Sequence, residues 1–144
     1  MEKIRVGIIG VGLIGKQHLE NYERIDGVDV IAAADIDEAE LNRVAERFGI
    51  PHTYTDFRQL LARDDIDAVD VCLHNNFHAP VTIEALRAGK HVYCEKPIAG
   101  SYADGKSMLD AAKECGRKLH IQLSFLYSKE TKAAKALVEA GQLG

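Results

Sequence analysis

Cysteine is scarce in this 144-residue chain, which carries three in all. Cys72, Cys94 and Cys115 form no CxxC pair and no metal-like spacing, and their odd number argues against a disulfide scaffold. Two of them sit inside apolar runs, where a free thiol behaves as a small buried hydrophobe in a reducing compartment. Positive charge is not in excess. The 18 Lys and Arg stand against 22 Asp and Glu, a formal net charge of −4, whereas a nucleic-acid binder usually carries a basic face. No apolar run approaches the length needed to cross a bilayer. The opening Lys3-Ile4-Arg5-Val6 leads directly into a strand-like run, not a secretory leader. A cytoplasmic setting, with no nucleic-acid or membrane partner, is expected. Linkers, repeats of fixed sequence and low-complexity segments are also missing, so the chain reads as one domain. Its length allows roughly two-thirds of the unfolded surface to be buried.

What the sequence does contain is an alternation of period. Short runs rich in Val and Ile are each followed by a longer amphipathic stretch, the pattern of parallel strands joined by crossover helices. Ile4–Ile9 is apolar at nearly every position, as a strand buried on both faces requires. After the turn Gly10-Val11-Gly12, a helix is expected over 13–25, then a strand at Val28–Ala34. Asp37 can cap a helix running to residue 48, with Gly49 and Pro51 as stop signals. A weak third strand at 52–55 precedes a short helix at 56–62, and a fourth strand is expected at 68–73. A loop at 74–77 leads to a helix at 80–88, followed by a strand at His91–Cys94. Ser101 caps a helix at 102–115. A sixth strand at 119–125 and a helix at 128–140 complete the reading. Six strands with their helices form two mononucleotide-binding halves. The expected fold is α/β, a doubly wound parallel sheet of Rossmann type in three α/β/α layers, with strand order 3-2-1-4-5-6. A ligand should lie across the carboxyl ends of the strands, where the first and fourth diverge.

Gly10-Val11-Gly12-Leu13-Ile14-Gly15 reads G-x-G-x-x-G, ending a strand and opening a helix as that motif's mechanism requires. Gly10 permits the tight turn, Gly12 lets backbone approach phosphates, and Gly15 lets helix and strand pack closely. The first-turn amides, Leu13 and Ile14 among them, would then face a pyrophosphate at the positive end of the helix dipole. Asp35, at the end of the second strand and 20 residues beyond Gly15, can accept hydrogen bonds from ribose hydroxyls. Asp37 is the more natural helix cap, which leaves Asp35 free. A carboxylate there repels a 2′-phosphate, and Ile36 follows it where an arginine would neutralise one. NAD is therefore favoured over NADP.

The stretch at 85–100, ALRAGKHVYCEKPIAG, ends its strand in the triplet Glu95-Lys96-Pro97. Together with the glycine turn, His78 and Gly141-Gln142-Leu143-Gly144, it makes the whole chain resemble the Gfo/Idh/MocA oxidoreductases. That resemblance implies that Lys96 sits beside the nicotinamide and contacts the substrate hydroxyl as the catalytic group. Glu95 would hold the lysine, and Pro97 would stiffen the turn presenting it. Asn75 matches an asparagine that lies against the cofactor in the family, while Leu73 and His74 replace its usual threonine and proline. His78 matches a family histidine at the start of a helix. The implied cofactor-binding set is Gly10, Gly12, Leu13, Ile14, Gly15, Asp35, Leu73, Asn75, His78, Glu95 and Lys96. His18 reads as structural, His91 receives no catalytic role, and no metal site is expected.

Members of that family are much longer. Their second domain supplies the substrate pocket, a catalytic histidine and much of a homo-oligomer interface. Ser124 and Leu126 also depart from the asparagine and arginine often found in that segment. The expectation is the nucleotide-binding domain of an NAD-dependent oxidoreductase acting on a sugar or polyol, binding NAD alone but turning over little. A non-catalytic NAD-binding or redox-sensing module remains the alternative; an adenosyl-cofactor methyltransferase fits the glycine spacing and the EKP triplet poorly. Asp35→Ser is expected to raise NADP affinity relative to NAD in calorimetric titrations, and unchanged selectivity would remove Asp35 from that role.

Overall fold

Every strand pairing in the computed structural model, which describes residues 3–142, is parallel. Leu143 and Gly144, which end the family-like terminal segment, lie outside the described residues. The elements run β1 (Ile4–Ile9), α1 (Leu13–Tyr22), β2 (Val28–Ala34), α2 (Glu38–Phe48), β3 (His52–Tyr54) and α3 (Phe57–Leu61) in the first half. The second half comprises β4 (Ala68–Val71), α4 (Asn75–Arg87), β5 (His91–Cys94), α5 (Tyr102–Glu114), β6 (Leu119–Ile121) and α6 (Lys129–Glu139). The sheet order β3-β2-β1-β4-β5-β6 is the one the alternation predicts.

Two apolar layers sandwich the sheet. On one face Leu60 of α3, Leu86 of α4 and Met108 of α5 pack against Val69, Val71 and Val92. On the other, Leu19 of α1 and Leu41 of α2 pack against Ile8 and Ala33. Each such side chain contributes roughly 1.5–3 kcal/mol when fully buried. By contrast α6 and the 3-10 turn Ser124–Tyr127 bury no residue. No helix among the described residues is long and apolar enough to cross a membrane.

The fourth strand ends at Val71, two residues short of expectation, and three further boundaries differ for identifiable reasons. The first helix stops at Tyr22, because Arg24 and Ile25 donate to carbonyls only three residues back and tighten the chain out of the α-helix. The fourth helix starts at Asn75 and absorbs most of the expected loop, although Pro80 inside it donates no hydrogen bond to the preceding turn. The sixth strand ends at Ile121, well short of residue 125. Its ladder closes with the Gln122 amide donating to the Cys94 carbonyl at 2.8 Å, and β5 ends there too. Cys94 is the last residue of β5 and pairs with Ile121, so β6 has no ladder left to join beyond that point.

Sequence reasoning also passes over Lys90, which is buried, with Nζ donating to the carbonyls of Arg63 (2.5 Å) and Ile66 (3.1 Å). Its charge is thus satisfied by the carbonyls of the loop between α3 and β4. Leu86→Ala should cost about 2–5 kcal/mol in urea unfolding; a loss well below that range would show that α4 is not anchored through this residue.

Candidate functional site

At the carboxyl ends of β1, β2 and β4 the chain opens into a cleft of about 550 Å³, lined in part by Gly10, Gly12, Leu13, Ile14, Asp35 and Leu73. The glycine turn builds its floor. Gly10 has φ +94°, and a Cβ there would stand 2.4 Å from the Cys72 carbonyl oxygen. A Cβ on Gly15 would lie 2.1 Å from the Gly10 carbonyl oxygen, so only glycine lets the helix start this close to the strand. At Gly12 the same construction meets nothing within 4 Å. The backbone there faces open space.

That arrangement fits a diphosphate. Gly12 caps α1 without any side-chain hydrogen bond, and no acidic residue occupies the first turn. Among the described residues, the amides of Leu13, Ile14 and Gly15 have no hydrogen-bond partner, whereas the Lys16 amide already donates to Gly12. Three donors therefore converge at the positive end of the helix, the geometry that anionic phosphate oxygens satisfy.

Asp35 lines the cleft but is not free. Its carboxylate accepts from the Val11 amide at 2.8 Å and from the Asp37 amide at 3.0 Å, tying the tip of β2 to the glycine turn. Asp37 does cap α2, through the Glu40 amide at 3.0 Å. Carboxylate oxygens carry two acceptor positions each, so Asp35 keeps capacity for ribose hydroxyls. Beside it Ile36 is exposed and, with Phe57, gives one end of the cleft an apolar wall.

The remaining expected residues lie apart from that lining. Asn75 is exposed at the start of α4, next to His74, which does line the cleft. His78 is fully buried behind the wall; its ring nitrogens face the carbonyl oxygens of Pro97 (2.7 Å) and Leu73 (3.0 Å). It thus braces the loop after β4 against the lysine turn. Lys96 is exposed just beyond β5. Glu95 makes no hydrogen bond or ion pair with the Lys96 side chain. It holds the lysine's backbone instead, accepting from the Lys96 amide at 3.0 Å.

Beneath Lys96 lies a cluster that sequence reasoning missed. Asp70, in the middle of β4 and fully buried, is flanked by His18, Tyr22 and Cys72. The clue in the sequence was an aspartate interrupting the apolar run of the fourth strand, facing the histidine one turn into the first helix. Burial alone would lower the His18 pKa, but the hydrogen bonds and charges of Asp70 and Glu95 outweigh it and raise the value. Burial, reinforced by Asp70, pushes the Tyr22 hydroxyl and the Cys72 thiol well up, so both stay neutral. Burial likewise raises Tyr93 to about 12 and Cys94 to about 11.

His18, Asp70 and Cys72 offer atoms within 4.8 Å of one another. Their spacing is that of hydrogen bonds, since His18 Nδ1 is 2.8 Å from Asp70 Oδ2.

Gly15→Ala should lower stability by about 1–3 kcal/mol, because the new methyl must displace backbone, and should weaken dinucleotide binding. Denaturant unfolding with ligand titration checks this; an unchanged unfolding midpoint would contradict the close packing described.

Comparison with known proteins agrees with this geometry. The Gfo/Idh/MocA model, described as an oxidoreductase family with an NAD-binding Rossmann fold, matches residues 4–123. A myo-inositol 2-dehydrogenase of Thermotoga maritima is 34% identical over 98% of this chain and 42% of its own length. The chain thus spans about two-fifths of that curated relative. The structure of scyllo-inositol dehydrogenase from Lactobacillus casei with bound NAD(H) and scyllo-inositol superposes with a TM-score of 0.91. It is 30% identical, and the match covers 99% of this chain and 43% of that one. The Y186F mutant of KijD10, a 3-ketoreductase from Actinomadura kijaniata in complex with TDP-benzene and NADP, superposes at 0.90 with 33% identity, covering 99% and 44%. Parallel sheet, glycine turn and EKP triplet together show that the chain belongs to the Gfo/Idh/MocA oxidoreductase family and corresponds to its NAD-binding Rossmann domain.

Proposed function

We propose that this chain is the nucleotide-binding part of a longer NAD-dependent dehydrogenase acting on a sugar, polyol or related secondary alcohol. The observation that carries the reading is the set of three unpartnered amides at the start of α1, opening onto the cleft that Asp35 borders. The amides of Leu13, Ile14 and Gly15 would hold the diphosphate, and the Asp35 carboxylate would accept from the ribose hydroxyls. A 2′-phosphate would meet that carboxylate and the uncharged Ile36, which supports NAD over NADP even though relatives bind either. The bound nicotinamide supplies or accepts the hydride. Lys96, an exposed cation on a turn whose amide Glu95 holds, would stabilise alkoxide character at the reacting carbon–oxygen bond or relay its proton. Asn75 and Leu73 flank the cofactor from the β4 side, while His78 and Glu95 act from behind by bracing the loops.

The relatives' greater length supports a further segment, which would carry the substrate pocket and an oligomer interface, and the free cysteines support a reducing, cytoplasmic setting. A non-catalytic redox module would need the glycines and Asp35 but not Lys96, and the dehydrogenase names of the relatives weigh against it. Calorimetry on the 144-residue chain should show NADH binding tighter than NADPH, with negligible turnover of polyols. In the longer protein Lys96→Ala should abolish turnover and leave NADH binding nearly unchanged. Retained turnover would remove Lys96 from catalysis, and failure of the chain to bind NADH would overturn the cofactor assignment.

A further inference from the structure

His18 lies one turn beyond Gly15 on α1, and its ring is held between carboxylates from two adjacent strands. Nδ1 is 2.8 Å from Asp70 Oδ2 on β4, and Nε2 is 3.1 Å from Glu95 Oε1 just after β5. The second oxygen of Glu95 accepts the Lys96 amide. Tyr22, one turn further along α1, donates to Asp70 at 2.9 Å, and the Cys72 thiol donates to its other oxygen at 3.4 Å. Tyr93 of β5 packs against the ring at 5.8 Å between centroids and itself stacks on His120 of β6. These are the titratable groups that face His18: Asp70, Glu95, Cys72, Tyr22 and Tyr93.

Packing alone does not call for this cluster. Two buried carboxylates and a histidine are commonly no more stabilising than apolar residues of the same volume. What the cluster adds is a rigid connection. It runs from the helix whose amino end opens onto the cleft, through one ring, to the backbone of the lysine turn.

We propose that His18, donating from both ring nitrogens, is the positioning residue for Lys96. It locks the Glu95 carboxylate that fixes the lysine's peptide, and so couples the lysine turn to the nucleotide-binding helix. The proposal rests on the reading of Lys96 as the catalytic group. Because the neighbouring charges raise the His18 pKa, the doubly donating form persists to higher pH than in a free histidine. As pH rises through the folded-state value, one N–H is lost. The shorter bond to fully buried Asp70 is kept, Glu95 loses its donor, and the clamp on Lys96 loosens.

The test is a pH titration of the isotope-labelled chain by NMR, following the His18 ring nitrogens and the Lys96 amide. The His18 midpoint should lie above the ordinary 6.5, with both ring nitrogens carrying protons below that midpoint. The Lys96 amide shift should follow the same midpoint. Beyond the intrinsic pH effect, its hydrogen exchange should accelerate about tenfold when the charge-assisted bond is lost. Glu95→Gln should uncouple the Lys96 amide from His18, and if that variant does not fold, the wild-type titration alone decides. A Lys96 amide indifferent to His18, or a His18 midpoint below 6.5, would overturn the proposal. NADH titration of the same sample separates the two readings. Binding without coupling sinks only the positioning role; coupling without binding sinks the cofactor assignment and leaves the positioning contact standing.

Discussion

The contact between Gly15 and the carbonyl oxygen of Gly10 constrains everything around it. With no side chain at residue 15, α1 begins directly against the end of β1, and its first amides open onto the cleft between β1, β2 and β4. Those amides need an acceptor from outside the helix, because Gly12 supplies no side-chain cap. The same placement brings His18, one turn on, over the carboxyl-terminal ends of β4 and β5. A single close approach therefore sets both the floor of the cleft and the anchor of the lysine turn.

Asp35 and Glu95 show how one kind of side chain serves two purposes here. Asp35 accepts from the glycine turn and from α2, which holds it at the cleft edge with acceptor capacity to spare. Glu95 is turned inward, so its charge is balanced by His18 and by a backbone amide and not by the lysine beside it. Lys96 is thereby left without an ion-pair partner among the described residues, as the catalytic role proposed for it requires. A neighbouring carboxylate bound to its Nζ would oppose that use.

Much of the architecture was legible in the sequence because its causes are local. The uninterrupted apolar run at Ile4–Ile9, the G-x-G-x-x-G turn and the caps Asp37 and Ser101 each act within a few residues, and all appear in place. The end of β6 was not legible, because it depends on where the neighbouring β5 ends. The start of α4 was hidden by Pro80, which reads as a helix boundary and here stands inside one. Asp35 looked free because Asp37 was the better cap; its bond to Val11 spans two strands and has no signature in spacing. The His18–Asp70–Glu95 cluster was the largest omission. Its members are separated by 52 and 77 positions, and only the sheet order brings them together.

The central claim is that the first-turn amides of α1 receive a diphosphate while Asp35 binds the adjoining ribose. A crystal structure of the chain with NADH tests it most directly. The account predicts diphosphate oxygens within hydrogen-bond distance of the Leu13 and Ile14 amides, and ribose hydroxyls on the Asp35 carboxylate. A dinucleotide bound elsewhere, or one in the cleft whose diphosphate is held by side chains away from α1, would contradict it.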